Sequence, residues 1–339
     1  MIWTEEKLNE LLSSPDEKLV EDVKKIQGDV MVLGAGGKMG PSLCVLLKRA
    51  FEKADNHADV IAVSTFSDGF ATRFLDGHNI KRVKANLLDP KEVENLPDVS
   101  NIIYMAGKKF GTTGEEYQTW AMNTMVPAYV ARKFRSSNAV IFSSGNIYPM
   151  VPVGTGGVTE QVQPAPVGDY TMSCLGRERI FEYYSRTFGM KCFIFRLSYA
   201  VDLRYGVLLD LATEILNQEP ISLKMPAFNC IWQKDANEIA IRGLLHGSNP
   251  PCVMNITGPE TVSVRYAATE LGKCLGKKPV FIDGEGENAY LSNAAAAHEL
   301  FGYPSVSLRT MIQWQAEWLL SHGRLLGKPT HFEEKGGKY

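Results

Sequence analysis

From residue 29 onward the chain alternates short apolar runs with longer amphipathic stretches. DVMVLG (29–34), DVIAVS (59–64), IKRVKA (80–85), NIIYMA (101–106), AVIFSS (139–144), KCFIFRLS (191–198) and CVMNIT (252–257) read as strands. Segments of helical spacing lie between most of them, around residues 39–53, 116–135, 170–187 and 235–246. Apolar strands joined through helix-length connections predict right-handed crossovers and a parallel sheet covered on both faces. After FRLSYA (195–200) the rhythm loosens. Residues 200–230 and 257–330 are expected to form a smaller region around helices such as VRYAATELGKCLG and LRTMIQWQAEWLL, while 29–199 and 231–256 form the sheet domain. The two regions therefore interleave in sequence.

Ahead of the first strand, residues 1–28 carry Leu8, Leu11, Leu12, Leu19, Val20, Val23 and Ile26 among charges. The helical period breaks at SSPDE, where Ser14 and Pro15 read as a cap and a first-turn proline. This extension is expected to pack on the main domain. The tail HFEEKGGKY (331–339) reads as a loose end.

Composition narrows the class of partner. Of 339 residues, 36 are basic and 38 acidic, giving a net charge of -2 without a basic stripe, which argues against nucleic acid and an anionic membrane as partners. The six cysteines, Cys44, Cys174, Cys192, Cys230, Cys252 and Cys274, contain no C-x-x-C pair and no histidine at ligand spacing, so no metal is expected. The start MIWTEEKLNE is acidic where an export signal needs basic and apolar residues, and no apolar run reaches the roughly 20 residues of a membrane span. A cytoplasmic protein with a small-molecule partner is expected. None of the six histidines falls in a motif.

VMVLGAGGKMG places Gly34, Gly36, Gly37 and Gly40 between a strand and a helix, with Pro41 in the helix's first turn. Such a loop brings backbone N–H groups against a pyrophosphate at the positive end of a helix, and Gly40 allows close helix-to-strand packing. The second strand ends in AVSTFSD, with Ser64 and Thr65 where a carboxylate usually selects NAD, Asp68 slightly late and Arg73 later still. NAD and NADP both remain open as cofactor.

Six stretches in order resemble the extended short-chain dehydrogenase/reductase family, in its NAD-dependent epimerase/dehydratase group, over about residues 29–320. They are the glycine loop, ANLLDP (85–90), YMAGKKFG (104–111), FSSGNIYP (142–149), YTMSCLGRE (170–178) and VMNITGPETVSV (253–264). The resemblance implies a Rossmann-type doubly wound sheet with a smaller C-terminal substrate region. It implies cofactor contacts from Gly34, Gly36, Gly37, Lys38, Met39, Gly40, Ser64, Asn86, Leu87, Ala106, Gly107, Lys109, Asn123 and Tyr170. By the same resemblance, Ser144 hydrogen-bonds the substrate's reacting oxygen and Tyr170 passes the proton while hydride moves to or from the nicotinamide.

One departure is central. The family's Tyr-x-x-x-Lys reads Tyr170 to Cys174 here, so the lysine that lowers the tyrosine pKa from its usual ~10 is replaced by a small neutral thiol. A cysteine in an amphipathic helix is read as a packing residue. Lys108 and Lys109 are candidates to bring a cation from the cofactor side, and Arg177, seven residues past Tyr170, is read as a phosphate-binding or solvent-facing residue. Gly145 and Asn146 stand where sugar dehydratases have Asp-Glu, which disfavours their dehydration chemistry. Tyr199 and Phe228 stand where the 4-epimerases have an Asn and an Arg for a nucleotide diphosphate, with Arg196 and Arg204 close enough in sequence to restore that grip.

Three readings follow: an NAD(P)-dependent oxidoreductase or epimerase acting on a carbohydrate-like hydroxyl or carbonyl compound without a nucleotide handle; a nucleotide-sugar epimerase with an atypical diphosphate site; and a non-catalytic dinucleotide-binding sensor or scaffold. A homodimer is an expected form of the family.

Overall fold

The computed structural model describes residues 3–67, 69–109, 114–328 and 330–337. Seven strands form one parallel sheet: β1 (Val30–Leu33), β2 (Val60–Ser64), β3 (Lys81–Lys84), β4 (Asn101–Tyr104), β5 (Asn138–Ser144), β6 (Cys192–Leu197) and β7 (Cys252–Ile256). Their spatial order is β7-β6-β5-β4-β1-β2-β3. The order reverses at β1, where Val30 pairs with Val60 on one side and Asn101 on the other. A crevice opens outside the carboxyl ends of the strands at such a switch point.

Alternation along the strands explains the two cores. Val30, Val32, Ala62, Ile103 and Val140 face one cluster, whereas Met31, Leu33, Ile61, Ile102 and Ile141 face the other. Inner strands buried on both faces must be apolar throughout, and β1 and β4 are buried at every position. The polar strand β3 lies at the edge, where Lys81 and Lys84 are exposed.

After two N-terminal helices, α1 (Glu5–Ser13) and α2 (Glu17–Val23), helix α3 (Gly40–Lys53) follows β1. The helical stretch after β4 runs as Glu116–Trp120, a π turn at Ala121–Met125 and then Val126–Lys133, the π turn carrying buried Asn123. The next long helix, α4 (Asp169–Phe188), enters β6. A third core holds α5 (Val207–Asn217), α6 (Val264–Leu275) and α7 (Leu308–Leu320) together.

The N-terminal helices tie these cores together. Trp3 sets its ring edge-on to Trp314 and Trp318, at 5.6 and 6.2 Å between centroids, while Leu19, Val23 and Ile26 enter the sheet core. The break between them differs from expectation. Ser14 closes the first helix (Glu5–Ser13), and Asp16, not Ser14, caps the second (Glu17–Val23) by accepting from the Leu19 N–H at 2.7 Å. A carboxylate accepts from the free N–H groups more strongly than a hydroxyl, so the cap moves past the proline. The expected loose end is also corrected. Phe332 and Thr330 are buried, and the segment around them is bonded to several elements.

Candidate active site

The glycine loop is held by its neighbours before any ligand is considered. The N–H groups of Gly34 and Ala35 donate to the Val63 carbonyl at 2.9 and 3.1 Å. Gly34 has φ +91°, and a Cβ there would fall 2.6 Å from the Ala106 nitrogen, so only glycine lets β1 turn away beside β4. Gly36 faces the Ser64 hydroxyl, Gly40 is pressed on the Ala35 backbone, and Met39 gives α3 no side-chain cap. The free N–H groups of this helix start, set behind a side-chain-free cradle, fit a dinucleotide pyrophosphate.

The outlying positions are less uniform. Leu87 and Ala106 are buried and Gly107 is exposed beside the switch point. The Asn86 carboxamide oxygen accepts from the Leu88 N–H at 3.1 Å and its own N–H donates to Glu92, so it shapes the turn after β3. Asp68 lies outside the described residues. Arg82 pairs with Asp76 and stands 5.3 Å from the Phe66 ring, on the side of the cradle where a ribose would lie.

Behind the loop after β4, a polar clamp sets the backbone. Asn123 accepts from the Lys108 N–H at 3.1 Å and donates to the Lys108 carbonyl at 3.2 Å and to Ser173 at 2.9 Å. Arg177 donates to Asn123 at 2.7 Å and to the Phe142 carbonyl at 2.8 Å. Contrary to the sequence reading, Arg177 therefore faces neither solvent nor phosphate: it is buried and joins α4 to β5 and the π turn. A guanidinium's fixed fork can satisfy several acceptors in a dry interior.

Lys108 is drawn outward to Glu115 and Gln118, at 2.9 and 3.1 Å. Lys109 points inward. Its Nζ lies 5.9 Å from the ring centroids of both Tyr170 and Tyr199 and donates to the Thr330 carbonyl at 3.1 Å. Burial lowers its pKa to about 8, partly opposed by the carboxylates of Asp210 and Glu333. Lys38, from the glycine loop, sets its Nζ 3.2 Å from the Tyr205 ring centroid. Burial, followed by repulsion from Lys109 and Lys328, lowers its pKa to about 6. That inward turn of Lys38 has no local sequence signal, because its neighbours come from distant segments.

Tyr170 lies in the first turn of α4, and Ser144 ends β5, buried, with its Oγ accepting from the Asn146 N–H at 3.1 Å. Cys174, one turn after Tyr170, shares a side-chain hydrogen bond with it; burial raises the thiol pKa, and the cysteine packs with Ile147, Tyr148 and Val158. It is a neutral packing group.

The two arginines close in sequence to Tyr199 are both engaged elsewhere. Arg196 grips Glu178 at 2.7 and 2.9 Å and donates to the Tyr148 hydroxyl at 2.5 Å. Arg204 grips Asp202 at 2.6 Å and reaches Glu5 and Asn9 of the first helix. Phe228 is core, packed edge-on to Phe332 at 6.0 Å.

The family model for the NAD dependent epimerase/dehydratase family matches residues 30–204, more than half of the chain and the whole of this constellation up to Arg204. The chain belongs to that family. It is accordingly an enzyme of the extended short-chain dehydrogenase/reductase type that uses a nicotinamide dinucleotide. No curated protein matches the sequence. Among solved structures it is similar to dTDP-glucose 4,6-dehydratase from Bacillus anthracis in complex with NAD, at 18% identity and TM-score 0.73, covering 87% of this chain and 97% of that one. UDP-glucose 4-epimerase from Thermotoga maritima with UDP-glucose gives 19% and 0.69, covering 87% and 99%. UDP-glucuronic acid 4-epimerase from Bacillus cereus with UDP-glucuronic acid and NAD gives 18% and 0.70, also covering 87% and 99%. These likenesses establish the fold.

Around Tyr170 the structure thus places a buried Cys174, an inward-pointing Lys109 and two arginines paired with carboxylates. Among the described residues no group of three His, Cys, Asp or Glu side chains is arranged to hold a metal, and no helix is long and apolar enough to cross a membrane.

Proposed function

We propose that this enzyme oxidises, reduces or epimerises a carbohydrate-like hydroxyl or carbonyl compound that carries no nucleotide handle. The single observation that carries the reading is the engagement of Arg196 with Glu178 and of Arg204 with Asp202, the two arginines that lie closest in sequence to Tyr199. A diphosphate carries two charges, which a buried site meets with arginine or lysine hydrogen bonds. Neither arginine is available without leaving a buried carboxylate uncompensated.

The nicotinamide dinucleotide, held by the glycine loop, α3's first turn and the Ala106–Lys109 loop, supplies the hydride acceptor or donor. Ser144 holds the reacting oxygen from the end of β5. Tyr170 takes or returns its proton. Lys109 provides, from the neighbouring loop, the positive charge that favours the tyrosine anion and that Cys174 does not provide.

A second reading, a nucleotide-sugar epimerase, draws support from Lys38 and Lys109, two partly buried amines close enough to repel each other. Thermal-shift measurements in saturating cofactor separate the two. Free sugars, sugar acids or lactones are expected to raise the melting temperature and UDP- or GDP-sugars are not; stabilisation by a nucleotide sugar alone would overturn the leading reading.

A further inference from the structure

We infer that the C-terminal segment, residues 324–328 and 330–337, is a specificity strap that crosses the substrate cleft and fills its far end, leaving room beside Tyr170 only for a compact substrate. The inference rests on the proposed reading of a substrate without a nucleotide handle and identifies the residues that impose it.

The strap touches both walls of the cleft. On the side of the smaller region, the Leu326 N–H donates to the Arg204 carbonyl at 3.0 Å, and Thr330 donates through its N–H and hydroxyl to one oxygen of Asp210, at 2.8 and 2.5 Å. Phe332 is buried against Phe228, and Lys335 donates to the Lys224 carbonyl at 2.5 Å. On the sheet-domain side, Lys109 donates to the Thr330 carbonyl at 3.1 Å. Gly337 then lies against Gly168, so closely that a Cβ on Gly168 would fall 2.6 Å from the Gly337 carbonyl oxygen.

Those two sheet-domain contacts bracket Tyr170. Lys109 stands over its ring and Gly168 precedes it by two residues. A segment anchored at both points and at Asp210 and Phe228 opposite passes directly across the crevice where ligands of doubly wound sheets bind. A substrate reaching past Tyr170 toward Phe228 would have to displace a buried aromatic ring and break the Thr330 bonds to Asp210 and Lys109. A small ring lying between Ser144, Tyr170 and the nicotinamide would disturb none of these.

The test uses the full-length chain and a variant carrying Thr330→Gly, Phe332→Gly and Lys335→Gly. NAD affinity and far-UV circular dichroism check its fold, hydrogen exchange reports whether the 330–337 amides are released, and UDP is the probe of the far end. The native protein is expected to show no UDP binding at millimolar concentration and protected strap amides; the variant is expected to exchange them freely and to bind UDP at least tenfold more tightly. Released amides without a gain in UDP affinity would overturn the inference, as would amides that stay protected in the variant. UDP binding to the native protein with its strap amides still protected would overturn it too. Absence of NAD-linked turnover of every bare sugar, with the UDP result as expected, counts against the proposed reaction and not against the strap.

Discussion

Lys109 stands 5.9 Å from the ring centroid of Tyr170, and Cys174, one helical turn further on, is a buried thiol. The loop after β4 thereby brings an amine toward the tyrosine, whereas the family resemblance implies one from a lysine four residues further along the helix. The consequences of this rearrangement can be measured.

The charged form of Lys109 is the useful one in the proposed mechanism, and its pKa is lowered to about 8 by burial. The profile of kcat/KM against pH is therefore expected to fall as pH rises through about 8, where the amine loses its proton. Lys109→Met should remove that falling limb and lower the rate at neutral pH roughly tenfold for each unit by which the tyrosine pKa rises. Adding Cys174→Lys in the Lys109→Met background should restore activity. Steady-state profiles of the three proteins check this, and an unchanged profile in Lys109→Met would remove the lysine from the mechanism.

Two glycines of the first loop separate fold from binding. A side chain at Gly34 meets the Ala106 backbone at a φ of +91°, so Gly34→Val should destabilise the protein as well as abolish NAD binding. At Gly37 the nearest protein atom to a new Cβ is the Gly34 carbonyl oxygen at 3.3 Å, so Gly37→Val should leave the melting temperature of the free protein near that of the native chain while calorimetry shows no NAD binding.

Arg196 and Glu178 form an ion pair with side chains 5% and 1% exposed. Arg196→Met should cost about 3–5 kcal/mol of stability, because Glu178 would be left in a dry interior without its counter-ion, with only the Ser143 hydroxyl donating to it. The double change Arg196→Met, Glu178→Gln should recover a large part of that loss. Urea denaturation of the two variants checks the order.

Glu214 on α5 has its pKa raised to about 7 by burial and by repulsion from Glu333, Asp210 and Glu219, and its Oε2 is buried without a protein partner. A carboxyl whose folded pKa lies above its unfolded value of 4.5 binds protons more readily in the folded state. Its contribution is fully present below about 4.5 and is lost as pH rises through about 7. Glu214→Gln should therefore flatten the decline in melting temperature between pH 5 and 8 and raise it most at pH 8. A melting series that keeps the native slope would show that Glu214 does not set it.

The amino-acid sequence alone determined the sheet and its cofactor end. Six of the seven strands, polar β3 included, lie within their predicted runs and β5 starts one residue before its run, and the glycine loop sits between β1 and α3 as read, because apolar runs, helical spacing and glycine turns are local properties that a short window contains. Tyr170 and Ser144 were singled out for the same reason, each embedded in a motif. What surrounds them was decided by the tertiary structure. Arg177 is seven residues from Tyr170 on the helix, yet its role depends on Asn123 and Phe142, 54 and 35 residues away. Lys108 and Lys109 are neighbours in sequence with opposite directions, set by Glu115 on one side and by Thr330, 221 residues distant, on the other. The tail looked like a polar end because its burial rests on one aromatic residue, Phe332, meeting Phe228, and a single apolar side chain has no period to read. Long-range hydrogen bonds and burial choose among the rotamers that a local pattern leaves equivalent, and that choice placed the charges of this active site.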